Sequence, residues 1–316
     1  MSKRTPATGM AVVTGVAGHL GGNLVRALLA QGQTVRAVDL GWKQSLDGLD
    51  LDWCPADLRD PASIRSALAG ADVVYHLAAV ISISGDPEGQ VWSTNVSGVA
   101  TVAQAALEGG VRQLVHCSSV HAFDIEICGG ALDEASPRSV REKLPVYDRS
   151  KAAGEAELHA WVEKGLDAVV VNPTGLIGPY DFEPSRMGRF FLELRRGKLW
   201  AVVDAGFDWV DVRDVAAALM AAASQGRSGE SYLLGGHRPS MRELAGMAAG
   251  RCNTGHCPKW SLIARRPRRG RPRSFVFDGP VELSRRERVG PRRPRWTDLR
   301  PCTACRRSGA DRPARP

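Results

Sequence analysis

A doubly wound α/β fold around a parallel sheet is predicted by three features of the sequence. An apolar run at 10–14 feeds a glycine-rich turn and then a helical stretch, and further short apolar runs alternate with helix-length segments as far as residue 173. These runs are unbroken rather than interleaved with polar residues. Unbroken apolar strands belong to sheets covered on both faces by helices, and their alternation with helices implies consecutive βαβ units. Sheets of this kind take ligands in the crevice beyond the carboxyl ends of their strands.

The first strand, Met10 to Thr14, runs directly into Thr14-Gly15-Val16-Ala17-Gly18-His19-Leu20-Gly21 and a helical stretch ending at Gly32. Glycines at 15, 18 and 21 permit a tight turn and let a pyrophosphate approach the backbone at the start of the helix, around the free N–H groups of His19 and Leu20. Thr34 to Val38 is the next strand and ends in Asp39, eighteen residues after Gly21. A carboxylate there accepts hydrogen bonds from the adenosine ribose and repels the extra phosphate of NADP. Leu40 follows where an NADP reader often has Arg, so NAD is the expected cofactor and NADP the less favoured one.

Leu51 to Ala56 is a third strand, closed by Asp57-Leu58-Arg59-Asp60-Pro61, in which Asp60 and Pro61 are expected to cap and begin a helix reaching Leu68. The unbroken Asp72 to Ala79 stretch is a fourth strand, in which His76 is read as a packed residue. Asn95 to Glu108 is read as a helix and Gln113 to Cys117 as the fifth strand, with Ser118 and Ser119 at its carboxyl end, facing the same crevice as the glycine turn. A long helix is expected from Tyr147 to about Lys164 and a sixth strand over Asp167 to Val171, followed by Asn172-Pro173-Thr174-Gly175. Beyond it lie two helices, Met187 to Gly197 and Asp211 to Ser224, and a short strand, Ser231 to Leu234. The expected division is a dinucleotide-binding domain over 1–178, with 207–226 returning to it, and a small substrate lobe made of 179–206 and 227–250.

Tyr147 and Lys151 are four residues apart and so share one face of their helix. A neighbouring cation favours the phenolate and pulls the tyrosine towards a working range for acid/base chemistry. A serine hydroxyl delivered from a nearby strand end reaches the same substrate oxygen.

The formal net charge of +8 divides unevenly. Residues 251–316 hold 18 Arg and one Lys against five acidic residues, a balance of +14, which leaves the remainder at −6. The pI therefore predicts no specific nucleic-acid partner. Nine of the 19 prolines also lie after residue 250. The tail is expected to be disordered or a frameshifted reading of a GC-rich coding sequence, leaving the substrate lobe truncated at about residue 250. No apolar run is long enough to span a membrane, and the seven cysteines form no evident disulfide framework, so a cytoplasmic protein is expected. Cys302 and Cys305, with Cys252, His256 and Cys257, give too little for a zinc site, and no metal is expected.

Taken together, Thr14-Gly15-x-x-Gly18-x-x-Gly21, Asp57-Leu58, His76-Leu77-Ala78-Ala79, Asn95, Ser118-Ser119, Tyr147-x-x-x-Lys151 and Asn172-Pro173-Thr174-x-x-x-Gly178 resemble the extended short-chain dehydrogenases and reductases, the NAD-dependent epimerase/dehydratase family with its Rossmann sheet. The resemblance covers residues 10 to about 245. It implies Ser119 as catalytic serine, Tyr147 as acid/base and Lys151 as ligand of the nicotinamide ribose. It also implies that Asp57 and Leu58 contact adenine, that Ala78, Ala79 and Pro173 flank the cofactor, and that Asn95 supports the lysine or the helix geometry. The segment from Gly206 to Ala216 resembles the stretch that in sugar-nucleotide enzymes begins with an arginine for the substrate diphosphate, and here that place is held by Phe207. A phenyl ring cannot neutralise a diphosphate, so the resemblance is to the dihydroflavonol-reductase-like and 3-beta-hydroxysteroid-dehydrogenase-like branch. The implied substrate is a small molecule, a less polar ketone or secondary alcohol. A sugar-nucleotide epimerase or dehydratase and a non-catalytic NAD sensor are the alternatives, and a homodimer through the two long helices is the implied assembly.

Overall fold

The computed structural model describes residues 9–128, 131–199, 201–202, 205–250 and 261–262. In chain order its first half holds β1 (Met10–Thr14), α1 (His19–Ala30), β2 (Val35–Asp39), β3 (Asp52–Pro55), α2 (Pro61–Leu68), β4 (Ala71–His76), α3 (Gln90–Trp92), α4 (Gly98–Glu108) and β5 (Gln113–Cys117). Then come α5 (Val146–Glu163), β6 (Ala168–Pro173), β7 (Gly175–Ile177), α6 (Arg186–Arg195), β8 (Ala201–Val202), β9 (Trp209–Asp211), α7 (Val212–Gln225), β10 (Ser231–Leu234), α8 (Met241–Gly250) and β11 (Ser261–Leu262).

Seven strands form one wholly parallel sheet in the order β10-β6-β5-β4-β1-β2-β3. Both sides of its central strands are apolar, as the sequence predicts. Ala11, Val13, Val73, Tyr75, Val115 and Val169 pack against α1 and α7, while Val12, Val74, Leu114 and Val170 pack against α2, α4 and α5. Strand register brings the carboxyl ends level with one another. Thr14 lies beside both Val38 and His76, His76 beside His116, and Cys117 beside Val171. Gly15, Asp39, Leu77, Ser118 and Asn172 are the next residues along these five strands, or the last, and so they converge on one edge of the sheet.

Local chemistry sets several of the boundaries. The Asp60 carboxylate accepts from the Ala62 N–H at 3.0 Å with Pro61 opening α2, the cap and first residue expected from sequence. The fourth strand is shorter than expected and ends at His76, because the chain then leaves the sheet to pass beneath the glycine turn. The helix expected from Asn95 is also irregular, since a π turn over Ser93–Ser97 separates α3 from α4. The Asn95 side chain accepts from the Val80 N–H at 2.8 Å and donates to Val80 O at 2.9 Å and Ser150 Oγ at 3.0 Å. That side chain therefore pins the loop after β4 to α5, and π turns often serve such local demands.

Ser231–Leu234, assigned from sequence to the smaller lobe, instead pairs with β6 as the outer strand of the main sheet. Outside that sheet, β7 pairs with β9 and β8 with β11. Apart from β11, the chain beyond residue 250 lies outside the described residues, and with it the expected disorder or frameshift and the four tail cysteines. Among the described residues, no helix is long and apolar enough to cross a membrane.

Candidate active site

The glycine turn is built by contact as much as by conformation. Gly15 has φ +71° and lies so close to the next crossing that a Cβ there would stand 2.6 Å from both N and Cα of Ala78. A Cβ on Gly21 would collide with Gly15 O and stand 2.7 Å from Val16 Cα. Gly18 differs: it is exposed, its φ of −75° suits any residue, and its nearest obstacle is Gly15 O at 3.4 Å. Packing thus demands glycine at 15 and 21, whereas at 18 the missing side chain clears a path from solvent to the start of α1. No side chain caps that helix end, so its N–H groups at His19, Leu20 and Gly21 are available to an anion.

The predicted ribose carboxylate closes one side of this cradle. Asp39 Oδ2 accepts from the Ala17 N–H at 3.0 Å and Oδ1 from the Leu40 N–H at 2.8 Å, so the acid is anchored to the turn itself. Asp57 is lowered from the ordinary carboxylate value by its hydrogen bonds from Arg59, and Leu58 is buried against Gly98. Ala78 reaches Thr14 Oγ1 through its N–H at 3.4 Å, and Ala79 follows it in the same loop. Pro173 ends β6. A little further on, Pro179 O receives His19 Nε2 at 3.0 Å and Asn23 Nδ2 at 2.9 Å, drawing this segment over the start of α1. An open cavity of about 300 Å³ continues from there, lined among others by His19, Gly178, Asp181 and Arg195. A cradle cleared at Gly18, uncapped N–H groups and a carboxylate fixed at the end of β2 fit a dinucleotide.

The proposed reacting residues converge beside it. Ser119 Oγ accepts from the His121 N–H at 3.2 Å, and the Ser119 side chain acts on the nearby Tyr147 phenol, favouring its ionisation. Lys151, 4% exposed, donates to Cys117 O at 3.3 Å. The sequence predicts that this ammonium lowers the tyrosine pKa; here the direction is the reverse. Burial raises Tyr147 and outweighs the opposing effect of the Ser119 side chain, because the ammonium is directed at a backbone carbonyl. Burial also lowers Lys151, opposed by Cys117 and Glu155. His76 is a packed residue, as read from sequence: it is fully buried, bonded to Thr14 Oγ1 at 2.7 Å, stacked on His116 and pushed down to about 3 by burial.

Several residues at the site have no part in the motifs. His121 pairs with Asp148 at 3.2 Å and meets the Tyr147 ring edge-on at 5.6 Å. Phe207 stacks on His121 with centroids 6.4 Å apart and leans on Trp209 at 5.3 Å. Both rings fit because position 175 is glycine, where a Cβ would stand within 2.7 Å of each. Arg238 lines the same hollow as Phe207. Behind the site, Glu155 joins Arg138 to Asn172. Glu155 stands one turn after Lys151 and was detectable by spacing; Arg138 lies in an irregular segment with no local signal.

A Rossmann sheet with a glycine cradle at its carboxyl edge, next to a serine, a tyrosine and a buried lysine, defines a dinucleotide-linked protein of the short-chain dehydrogenase type. Residues 11–235 match the model of the NAD dependent epimerase/dehydratase family. The chain is 40% identical over 235 residues to sterol demethylase protein B of Methylococcus capsulatus, an alignment covering 74% of this chain and 71% of that protein. It is 33% identical over 238 residues to the Synechocystis protein named "Putative dihydroflavonol 4-reductase", covering 73% and 69%. The solved DesIV, a dTDP-glucose 4,6-dehydratase from Streptomyces venezuelae with NAD and TYD bound, superposes with a TM-score of 0.68 at 26% identity, covering 81% of this chain and 85% of that one. This chain belongs to the NAD dependent epimerase/dehydratase family, and NAD is its cofactor.

Proposed function

We propose that the protein is an oxidoreductase interconverting a weakly polar ketone and a secondary alcohol, with Ser119, Tyr147 and Lys151 at the reacting centre. The observation that carries this reading is the aromatic wall of His121 and Phe207 against the Tyr147 ring, with the Ser119 side chain beside that phenol. When bound, NAD supplies or accepts the hydride. The substrate oxygen lies between the Ser119 and Tyr147 hydroxyls. Because burial keeps the phenol protonated, Tyr147 acts as the acid that protonates the carbonyl oxygen in reduction. Ser119 holds that oxygen, and Lys151 carries the nicotinamide ribose through its ammonium. Asp39, Asp57, Leu58, Ala78, Ala79 and Pro173 line the rest of the cofactor path.

The names of the two relatives, a sterol demethylase protein and a dihydroflavonol reductase, support a substrate built on a multi-ring carbon skeleton. A second reading, a sugar-nucleotide dehydratase, draws support from Arg238 beside Phe207 and from the likeness to DesIV. Titration with dTDP-glucose separates the two readings, since saturable binding favours the second. The remaining features we propose are a cytoplasmic location and a homodimer through α4 and α5, the latter checked by sedimentation. Tyr147→Phe is expected to abolish NADH-dependent reduction of a panel of aromatic and alicyclic ketones while leaving NADH binding intact. Unchanged turnover overturns the assignment, and it also discriminates against a non-catalytic sensor.

A further inference from the structure

We infer that Glu155 is a positioning residue that unites the site: one buried carboxylate holds Lys151 as a cation and, through Asn172, fixes the backbone of Ser119. The inference rests on the proposed role of Lys151 towards the cofactor.

A carboxylate buried without partners is costly, and Glu155, with its side chain 2% exposed, uses both oxygens. Oε2 accepts from Arg138 Nε at 2.7 Å, and Oε1 accepts from Asn172 Nδ2. Asn172 is fully buried, and its amide nitrogen also donates to Ser119 O at 3.0 Å. Two acceptors flank one NH2 group, so the amide has a single orientation that satisfies both. Arg138 is itself anchored, to Ser136 O at 3.2 Å and over the Phe123 ring at 4.0 Å. The path from the Arg138 guanidinium to the Ser119 carbonyl is therefore continuous.

Lys151 and Glu155 are one turn apart on the same face of α5. The groups facing Lys151 are His76 from β4, His116 and Cys117 from β5, and Glu155 from its own helix. Burial keeps both histidines neutral and pushes the Cys117 thiol up to about 11. Glu155 is the carboxylate in this group, and it opposes the effect of burial on the ammonium.

The test is NADH binding, followed by fluorescence from about pH 7.5 to about pH 10 in wild type, Lys151→Met, Glu155→Gln and Arg138→Met, with circular dichroism as the check on folding. An ammonium that binds the ribose does so below its pKa, so wild-type affinity falls as pH rises through that value, and Lys151→Met lacks the fall. Glu155→Gln keeps an acceptor for Asn172 but removes the negative charge and leaves Arg138 uncompensated. Its fall therefore moves to lower pH, giving about threefold weaker binding than wild type on the alkaline side and equal binding at neutral pH. Arg138→Met removes the cation and shifts the fall to higher pH. A purely structural role moves neither. An unmoved fall in Glu155→Gln, or shifts of the same sign in both variants, overturns the inference. If Glu155→Gln does not fold, Arg138→Met decides alone, an upward shift supporting the inference and any other result overturning it. If wild type and Lys151→Met titrate alike, the role of Lys151 itself is wrong, a failure diagnosed by that arm alone and one that removes the inference with it.

Discussion

Replacing Gly18 and Gly21 separately by alanine divides cofactor binding from stability within one turn. At Gly21 the added methyl meets Gly15 O and stands 2.7 Å from Val16 Cα, both rigid backbone atoms. Overpacking of this kind costs about 1–3 kcal/mol, while alanine inside a helix returns about 0.5–1 kcal/mol. The net loss of about 0.5–2 kcal/mol lowers Tm by about 1–8 °C for a domain of this size. At Gly18 the methyl meets Gly15 O at 3.4 Å, an ordinary contact, and φ is already −75°. Alanine is a poorer N-cap than glycine by roughly 0.5–1 kcal/mol, about what Gly→Ala regains from the unfolded chain, so stability is nearly unchanged. The same methyl points along the cleared path to the N–H groups of α1, so NADH affinity falls about tenfold or more, about 1.4 kcal/mol. Differential scanning fluorimetry without ligand, paired with NADH fluorescence titration, reads both quantities. A Gly18→Ala protein that binds NADH like wild type, or that loses as much Tm as Gly21→Ala, refutes the assignment of the cradle.

Asp39→Ser removes the carboxylate that repels a ribose phosphate and loosens its anchor on Ala17, so the preference for NADH over NADPH is expected to narrow about tenfold in competitive titration. Asp124, 1% exposed, is held below the ordinary carboxylate range by its hydrogen bonds from Arg141. A depressed pKa of this kind stabilises the fold above the ordinary value of about 4 and loses that contribution as pH falls through the folded value. Urea unfolding of Asp124→Asn is therefore expected to depend less on pH than wild type between about pH 5 and about pH 3. Asp60→Ala removes the cap of α2 and is expected to cost about 1 kcal/mol in urea unfolding with NADH binding unchanged.

The half of the site proposed to bind the dinucleotide was legible because it is sequential: strand, glycine turn, helix and Asp39 follow one another, and each has a local signature. The same holds for Ser119 at the end of β5 and for the Tyr147–Lys151 spacing on α5. What escaped depends on pairing across the chain. β10 has four residues and no mark that says which sheet it joins; its place against β6 follows from the exposed edge that β6 would otherwise present. The end of β4 at His76 is set by Gly15 lying against Ala78, and the π turn by Asn95 reaching Val80 and Ser150. The direction of the Tyr147 shift was misread for the same reason. Spacing told which face Lys151 shares, whereas burial and the carbonyl of Cys117 decide what its charge does.

The position of β10 also bears on how the protein is made. β6 carries Asn172, whose amide holds Ser119, yet the strand that covers the outer edge of β6 is translated about sixty residues later, about 3–12 s at ordinary rates of synthesis. Until then a growing chain already has its glycine turn, its long helices and Tyr147, but β6 is an open edge able to pair with a stranger. Arrival of Ser231 seals that edge and brings its hydroxyl to the Arg138 guanidinium at 3.4 Å. The interval between the two strands is thus the nascent chain's period of greatest exposure to misassociation, and the one in which a holdase chaperone would do most for its yield.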